Sequence, residues 1–368
     1  SDNYAPKGGA IYVSRGDLET IKSTFTNKNP VDWSLVYAVR SKVNAQQCLF
    51  ENATSKYATA LYADTSNVNI FNSRFNNLSA SVTAGAIASK RMTNLTVKNC
   101  EFENIRSVKN GGAIFADINA DSENLKGTTL VNATKFINCK SGYGGAILQL
   151  GGSLIVIFSD FIGNDVDYNG GAIYASNATF YAGRDNFTNN QGYSYTEGGA
   201  IYLDYTNDVE IEWCEFTNNK AAVGGAICLM DSTFKVTNTT SHNNGEFIHA
   251  YFAGKGSHFA DCENDDKYNL DLTKYQENVN KLIPGATYRV SRLDEQGQIQ
   301  ESQTAKTDSS SRLRMTNLYA ENVYEISEIQ TPEDYELNND IIKIIGHVNR
   351  ETGVLSIEKI EGTTKGEI

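Results

Sequence analysis

The phrase "GGAIY" occurs at residues 8–12, 170–174 and 198–202, and close variants occupy four further places. These are "GAIA" at 85–88, "GGAIF" at 111–115, "GGAIL" at 144–148 and "GGAIC" at 224–228. Aligned on its alanine, the phrase falls at Ala10, Ala60, Ala86, Ala113, Ala146, Ala172, Ala200 and Ala226, with Leu35 of "SLVYA" filling the first gap. The successive steps are 25, 25, 26, 27, 33, 26, 28 and 26 residues. Half a period later a second phrase recurs, beginning at Phe25, Phe50, Phe75, Phe102, Phe136, Phe161, Phe187 and Phe216. A chain with one period of this length folds by stacking identical units, so the repeat constrains the architecture before any other feature does.

The unit is built of strands. Gly, Asn, Thr, Tyr and β-branched residues dominate it, and its apolar residues alternate: "LTVKNCEFEN" (95–104) places Leu95 and Val97, slips by one, then places Cys100 and Phe102 on one face. "VEIEWCEFTNN" (209–219) repeats this with Val209, Ile211, Cys214 and Phe216. Adding the GGAIY strand gives three strands per repeat. We therefore expect an all-β chain whose residues 1–263 form a parallel β-helix, right-handed by general preference, of about nine three-strand coils. Stacked at ~4.8 Å per coil, these make a rod roughly 40 Å long. Phenylalanines then stack in one register and asparagines form a hydrogen-bonded ladder. The paired glycines allow a tight corner at positive φ.

Alternation sorts the GGAIY strand into two faces. Ile11, Val36, Leu61, Ile87, Ile114, Ile147, Ile173, Ile201 and Ile227 should point inward. The register after them, which should point outward, is aromatic at Tyr12, Tyr37, Tyr62, Phe115, Tyr174 and Tyr202, with Asp64, Asp117 and Asp204 in the next outward register. This row reads in two ways: as cross-strand cover, or as a flat exposed face that stacks on sugar rings or docks a partner. On the second reading the six aromatic residues are the candidate ligand-binding residues.

The one long step contains "ADINADSENLKG" (116–127), where Asp117, Asn119, Asp121 and Glu123 alternate as oxygen ligands do at the start of a calcium loop. Ser122 stands where such a loop has glycine, and the distal glutamate is missing; the alternative is a solvated bulge. Apart from this candidate calcium site no cofactor is expected. The four histidines are scattered, and no CxxC pair occurs among the six cysteines, which argues against structural zinc. Cys48, Cys100 and Cys214 share a register with Ser23, Ser73, Thr134, Ser159 and Asp185 and read as small buried residues. Cys48 and Cys100, two coils apart, would lie beyond disulfide reach.

With a net charge of −12 and a pI near 4.9, the chain is not expected to bind nucleic acid or an anionic membrane surface. No apolar run approaches the ~18–20 residues that span a bilayer. "SDNYAPKGGAIY" lacks the features of a signal peptide, and the chain reads as a segment of a longer protein. A monomer is expected.

The pattern decays at "SHFADCENDDKYN" (257–269). Alternating runs such as "ATYRVSRL" and "DIIKIIGHV", separated by turn-rich stretches, make residues 264–368 a small antiparallel β-sandwich. The stretches "LTKYQENVNKLIPGATYRVSRLDEQG" (272–297) and "TNLYAENVYEISEIQTPEDYEL" (316–337) resemble the prealbumin-like Cna-B domain of Gram-positive surface adhesins and pili. That resemblance implies a stalk domain in which a lysine on the first strand and an Asn or Asp on the last can form an isopeptide bond promoted by a glutamate. By motif position Lys274 matches the lysine and Glu328 the glutamate. The final strand, "GVLSIEKIEG", lacks the amide, and Asn349 lies near but out of place. An electrostatic pairing of Lys274 with Glu328 is the alternative. The repeats of residues 1–260 resemble the GGA[ILV]/FxxN repeats of chlamydial polymorphic outer-membrane proteins, surface-exposed adhesins. Strict FxxN spacing holds at Phe161–Asn164, Phe187–Asn190 and Phe216–Asn219. Together the resemblances imply an extracellular protein, displayed on a Gram-positive-type or similar surface and attached to cell or cell wall, in preference to an autotransporter.

Three functions fit. The first is an adhesin whose β-helix binds an extracellular glycan or protein on a host or neighbouring cell and whose second domain is a stalk. The second is a polysaccharide lyase or hydrolase, which needs paired carboxylates; Asp204 and Asp208 offer such a pair, but no register gathers Asp, Arg and Lys together. The third is a structural spacer. A non-enzymatic adhesin is the expectation.

Overall fold

The structure is a computed structural model. It describes residues 5, 7–27, 29–91, 93–118, 127–193, 195–244, 247–251, 258–260, 263–264, 268–273, 275–276, 281–294, 297–318, 322–335, 337, 339–348 and 355–361. Among these every regular element is a β-strand. The chain divides into two compact units, one holding residues 1–257 with 262–265, the other 258–261 with 266–368.

The first unit is a parallel β-helix. Its first sheet stacks the phrase strands in order, from Ile11–Ser14 and Val36–Val39 through Ile173–Ser176 and Ile201–Asp204 to Ile227–Met230. A tenth strand, Ile248–Tyr251, follows without a glycine pair. The register pairs each repeat residue with its counterpart, so Ile87 lies beside Leu61 and Ile114. The second sheet includes the successive strands from Asp17–Ile21 to Phe234–Thr237 and turns Leu95, Val97, Val131, Leu154 and Ile211 inward. The third side carries short strands such as Glu101–Glu103 and Asp160–Ile162, followed in the middle coils by two-residue strands such as Lys140–Ser141 and Asp165–Val166.

Three columns fill the interior as the period demands. Eight phenylalanines from Phe25 to Phe216 stack face to face with centroids 4.3–4.9 Å apart, a spacing set by the rung repeat. Asn164, Asn190, Asn219 and Asn244 form a buried ladder. Each of the first three donates Nδ2–H to the next Oδ1 at 2.8–2.9 Å and to a phenylalanine carbonyl a coil away. Every amide group is thereby satisfied in the dry interior. In earlier coils the same position is apolar, at Ala53, Leu78, Ile105 and Cys139. A third column runs through Ser73, Thr134 and Ser159, whose hydroxyl oxygens accept from backbone N–H groups of the preceding coil.

The glycine pair divides its work, a refinement of the sequence expectation. The first glycine takes positive φ, from 55° at Gly111 to 72° at Gly170. The second is needed for close approach: a Cβ on Gly171 would lie 1.9 Å from the Gly199 carbonyl oxygen.

In the second unit an antiparallel five-stranded sheet has the order Ile299–Lys306, Thr287–Leu293, Val323–Gln330, Ile341–Val348, Leu355–Glu361. Tyr268–Thr273 pairs with Arg312–Leu318 in a separate two-stranded sheet. Val290, Leu313, Leu318, Tyr324, Ile326 and Ile344 form its core.

Candidate functional site

The aromatic register of the first sheet points away from the helix interior, as alternation requires, yet it is largely covered. This corrects the expectation of an exposed ladder. Tyr12 is 56% exposed, but Tyr37, Phe115 and Tyr202 are only 6%, 3% and 6% exposed, while Tyr62 and Tyr174 are half-buried. The covering comes from the segment preceding each corner. Trp33 meets Tyr37 and Tyr62 edge-on at 5.7 and 5.0 Å. Ala58, Ala84, Ala88, Phe115 and Leu148 close into a second apolar cluster with Tyr62 and Tyr174 packed against it. The Lys90 ammonium lies 4.2 Å from the Phe115 ring centre and pairs with Asp117 at 2.8 Å. Tyr174 is pushed up to about 12 by burial and by the nearby Asp204 charge, and Tyr62 and Tyr202 are raised chiefly by burial. The cross-strand stacking is real, as at Tyr37–Tyr62, 4.8 Å and 5°, but of the six only Tyr12, at the N-terminal end of the row, is more exposed than buried.

The exposed aromatic surface lies in the segments that do the covering. Tyr143 stacks on Tyr168 at 4.7 Å and meets Tyr174 edge-on at 5.7 Å. Tyr168 and Tyr193 are exposed, and Tyr195 is 95% exposed. Three short strands place this group: Lys140–Ser141, Asp165–Val166 and Gln191–Gly192 pair in parallel on successive coils. Their side chains make an ionic knot, in which Lys140 Nζ donates to Asp165 Oδ2 at 2.8 Å, donates to the Tyr193 hydroxyl at 3.3 Å and pairs with Asp167 at 3.4 Å. The same ammonium lies 5.0 Å from the Tyr193 ring centre. Burial alone would lower Lys140, but its hydrogen bonds to Asp165 and Tyr193 and the two aspartate charges outweigh burial and hold it above the ordinary lysine range. The result is a solvent-facing group of tyrosine rings, with Tyr193 held by charge and Tyr168 by stacking on Tyr143. The sequence signal for it lies in "SGYGG", "DYNGG" and "YSYTEGG", where tyrosine recurs just ahead of the glycines; the strongest repeat marks the residue after them instead.

Of the calcium candidates, Asp117 is engaged by Lys90, and Asn119, Asp121 and Glu123 lie outside the described residues. No group of three His, Cys, Asp or Glu suited to a metal occurs among the described residues. Asp204 is raised above the usual carboxylate range by burial and accepts a hydrogen bond from the Ser176 hydroxyl. Asp208 is exposed and sits at positive φ, where the strand is bulged against Thr179/Phe180. Cys48, Cys100, Cys139, Cys214 and Cys228 are all buried and form no disulfide, and burial pushes Cys100 and Cys139 up to about 11 and 12, the opposite of a reactive cysteine. In the second unit Glu328 is buried on the central strand opposite Tyr288, which burial and the Glu328 charge raise. Lys274 and Asn349 lie outside the described residues.

Comparison with known families finds a match in each unit. Residues 268–361 match the prealbumin-like fold domain, and residues 99–117 and 214–229 match the Chlamydia polymorphic membrane protein repeat. None of the curated proteins compared matches the chain. A β-helix with matches to that repeat, followed by a match to the prealbumin-like domain, points to a surface-associated, adhesin-like protein.

Proposed function

We propose that this chain is part of a cell-surface adhesin whose β-helix binds a glycan or protein on a host or neighbouring cell, held out from the cell or cell wall by its prealbumin-like domain. The observation that carries this reading is the patch of Tyr143, Tyr168, Tyr193 and Tyr195. Interior columns account for most of the repeat, whereas these rings are exposed to water; Tyr193 is held by the Lys140 knot and Tyr168 stacks on Tyr143. Amphipathic, two-torsion side chains of this kind supply contact area at small entropic cost, which is why tyrosine is enriched in binding surfaces. The matches to two modules of surface proteins support the same reading.

The test exposes the whole chain to a panel of glycans, mucins, matrix proteins and cells, recording both retained protein and newly formed reducing or unsaturated ends. Retention without product is the expected result. Product release would move the reading to a polysaccharide-active enzyme, and no retention on any surface would leave a spacer.

A further inference from the structure

A second surface lies on the far side of the second sheet's corner. At that corner nine of the described coils turn through one residue at positive φ: Lys22, Gln47, Asn72, Asn99, Ala133, Phe158, Arg184, Trp213 and Asn238. Asparagine suits this conformation, and Asn72, Asn99 and Asn238 show the ordinary solution. On three consecutive coils the place is held by Phe158 (φ 54°), Arg184 (φ 59°) and Trp213 (φ 56°). Bulky side chains in this region cost backbone strain, and these recover little of it by burial: Phe158 and Trp213 are 55% and 56% exposed. Arg184 lies over the Phe158 ring, 5.7 Å from its centre. Next to the ridge, the space above Gly183 is taken by the Tyr181 ring: a Cβ there would meet the ring Cε1 at 2.9 Å. Tyr181 thus lies flat on the sheet and donates its hydroxyl to Glu212 Oε1 at 2.5 Å. The half-buried Ile155 lies beside it on the neighbouring strand, across from the Tyr181 position.

We propose that Phe158, Arg184, Trp213 and Tyr181 form a binding site for a linear, uncharged polysaccharide laid along the rod axis. It deepens the adhesin reading by assigning a saccharide class to a separate surface. Three observations select this occupant. The corner presents one side chain per rung, at the ~4.8 Å spacing of stacked strands, which is close to the length of one pyranose ring in an extended chain, so rings could meet Phe158 and Trp213 with Arg184 donating to hydroxyls between them. Glu212 and exposed Glu215 stand on the next coil, beside Gly183 and Asn186 on either side of Arg184 in the chain; their carboxylates accept from sugar hydroxyls but repel a polyanion. The strands beneath are paired on both sides, Ser153–Ile157 and Asn207–Glu212 flanking Thr179–Gly183, so they offer no free edge for a peptide to extend.

The chain contains two tryptophans, and Trp213 is the exposed one, which makes it a reporter. Titrating the whole chain with cellohexaose, mannohexaose, hexagalacturonate and a proline decapeptide should quench or shift its emission with a neutral hexasaccharide only. Phe158→Asn and Trp213→Asn should each lower that affinity at least tenfold, read by calorimetry, while raising Tm by about 2–4 °C through relief of strain. Gln47→Asn, at the same corner on an earlier coil, should leave hexasaccharide binding unchanged. A falling Tm in both Asn variants would show that the aromatics pack structurally and would overturn the proposal. So would tighter binding of hexagalacturonate or the peptide, or no binding of any probe. If no hexasaccharide binds while cells or matrix still retain the chain, the ridge assignment fails and the adhesin reading survives.

Discussion

Asp185 occupies a column otherwise made of Ser, Thr and Cys, from Ser23 through Ser159 to Cys214 and Thr239. Its oxygens accept from the Ser159 and Gly183 backbone N–H groups at 2.7 and 2.9 Å, yet burial wins and pushes the carboxyl up to about 8. In the unfolded chain it titrates near 4, so between about pH 4 and 8 the folded state holds a proton that the unfolded state has lost. Stability from this site is therefore fully present below pH 4 and is lost as pH rises through 8. Thermal unfolding across that range should show Tm falling with pH, and Asp185→Asn should flatten the dependence and gain a few kcal/mol at pH 8. The asparagine ladder sets a second expectation. Asn190→Leu places there a side chain that earlier coils accept, as at Leu78, but it removes the acceptor of both the Asn164 N–H and the Asn164 Nδ2–H. It should cost about 2–4 kcal/mol in urea unfolding. Both columns were legible in the sequence, because residues at one register of a solenoid must touch. The character of Asp185 was not, since it depends on how far the site is closed to water.

The strand and its corner decide what can be exposed. Alternation correctly separated Ile173 and Ala175 from Tyr174, but a repeat alignment does not say what folds back over an outward face. Trp33 and the alanines ahead of the corner do so here, which turned six candidate ligand-binding residues into a row with one exposed end. The corner also carries a sharp mutational contrast. Gly171→Ala drives a methyl group into the Gly199 carbonyl and should destabilise by about 3 kcal/mol or more. Gly16→Ala, whose nearest neighbour would be 3.6 Å away, should change stability by less than about 0.5 kcal/mol in the same unfolding assay. In the second unit the last strand, Leu355–Glu361, contains no Asn or Asp. The expected intact mass is accordingly that of the unmodified chain, and a mass short by one ammonia would instead show that Lys274 has condensed with an amide such as Asn349.

At the scale of the whole molecule, a period of about 26 residues was enough to specify a parallel β-helix, and loss of that period marked the start of a second kind of unit. Function was less legible, because the interior columns write the strongest pattern and the surface only interrupts it. The tyrosine patch and the Phe158–Arg184–Trp213 ridge are such interruptions: residues that the coil does not require, placed where the coil would accept others. The central claim is that the patch ahead of the corners binds a surface ligand. The most direct measurement compares retention of the whole chain and of its Tyr168→Ala, Tyr195→Ala double variant on the cell, glycan and matrix panel, with Tm measured for both. The account predicts that the double variant loses at least tenfold in retention while its Tm stays within about 2 °C of the parent, since both side chains are exposed. Undiminished retention by a folded double variant would contradict it.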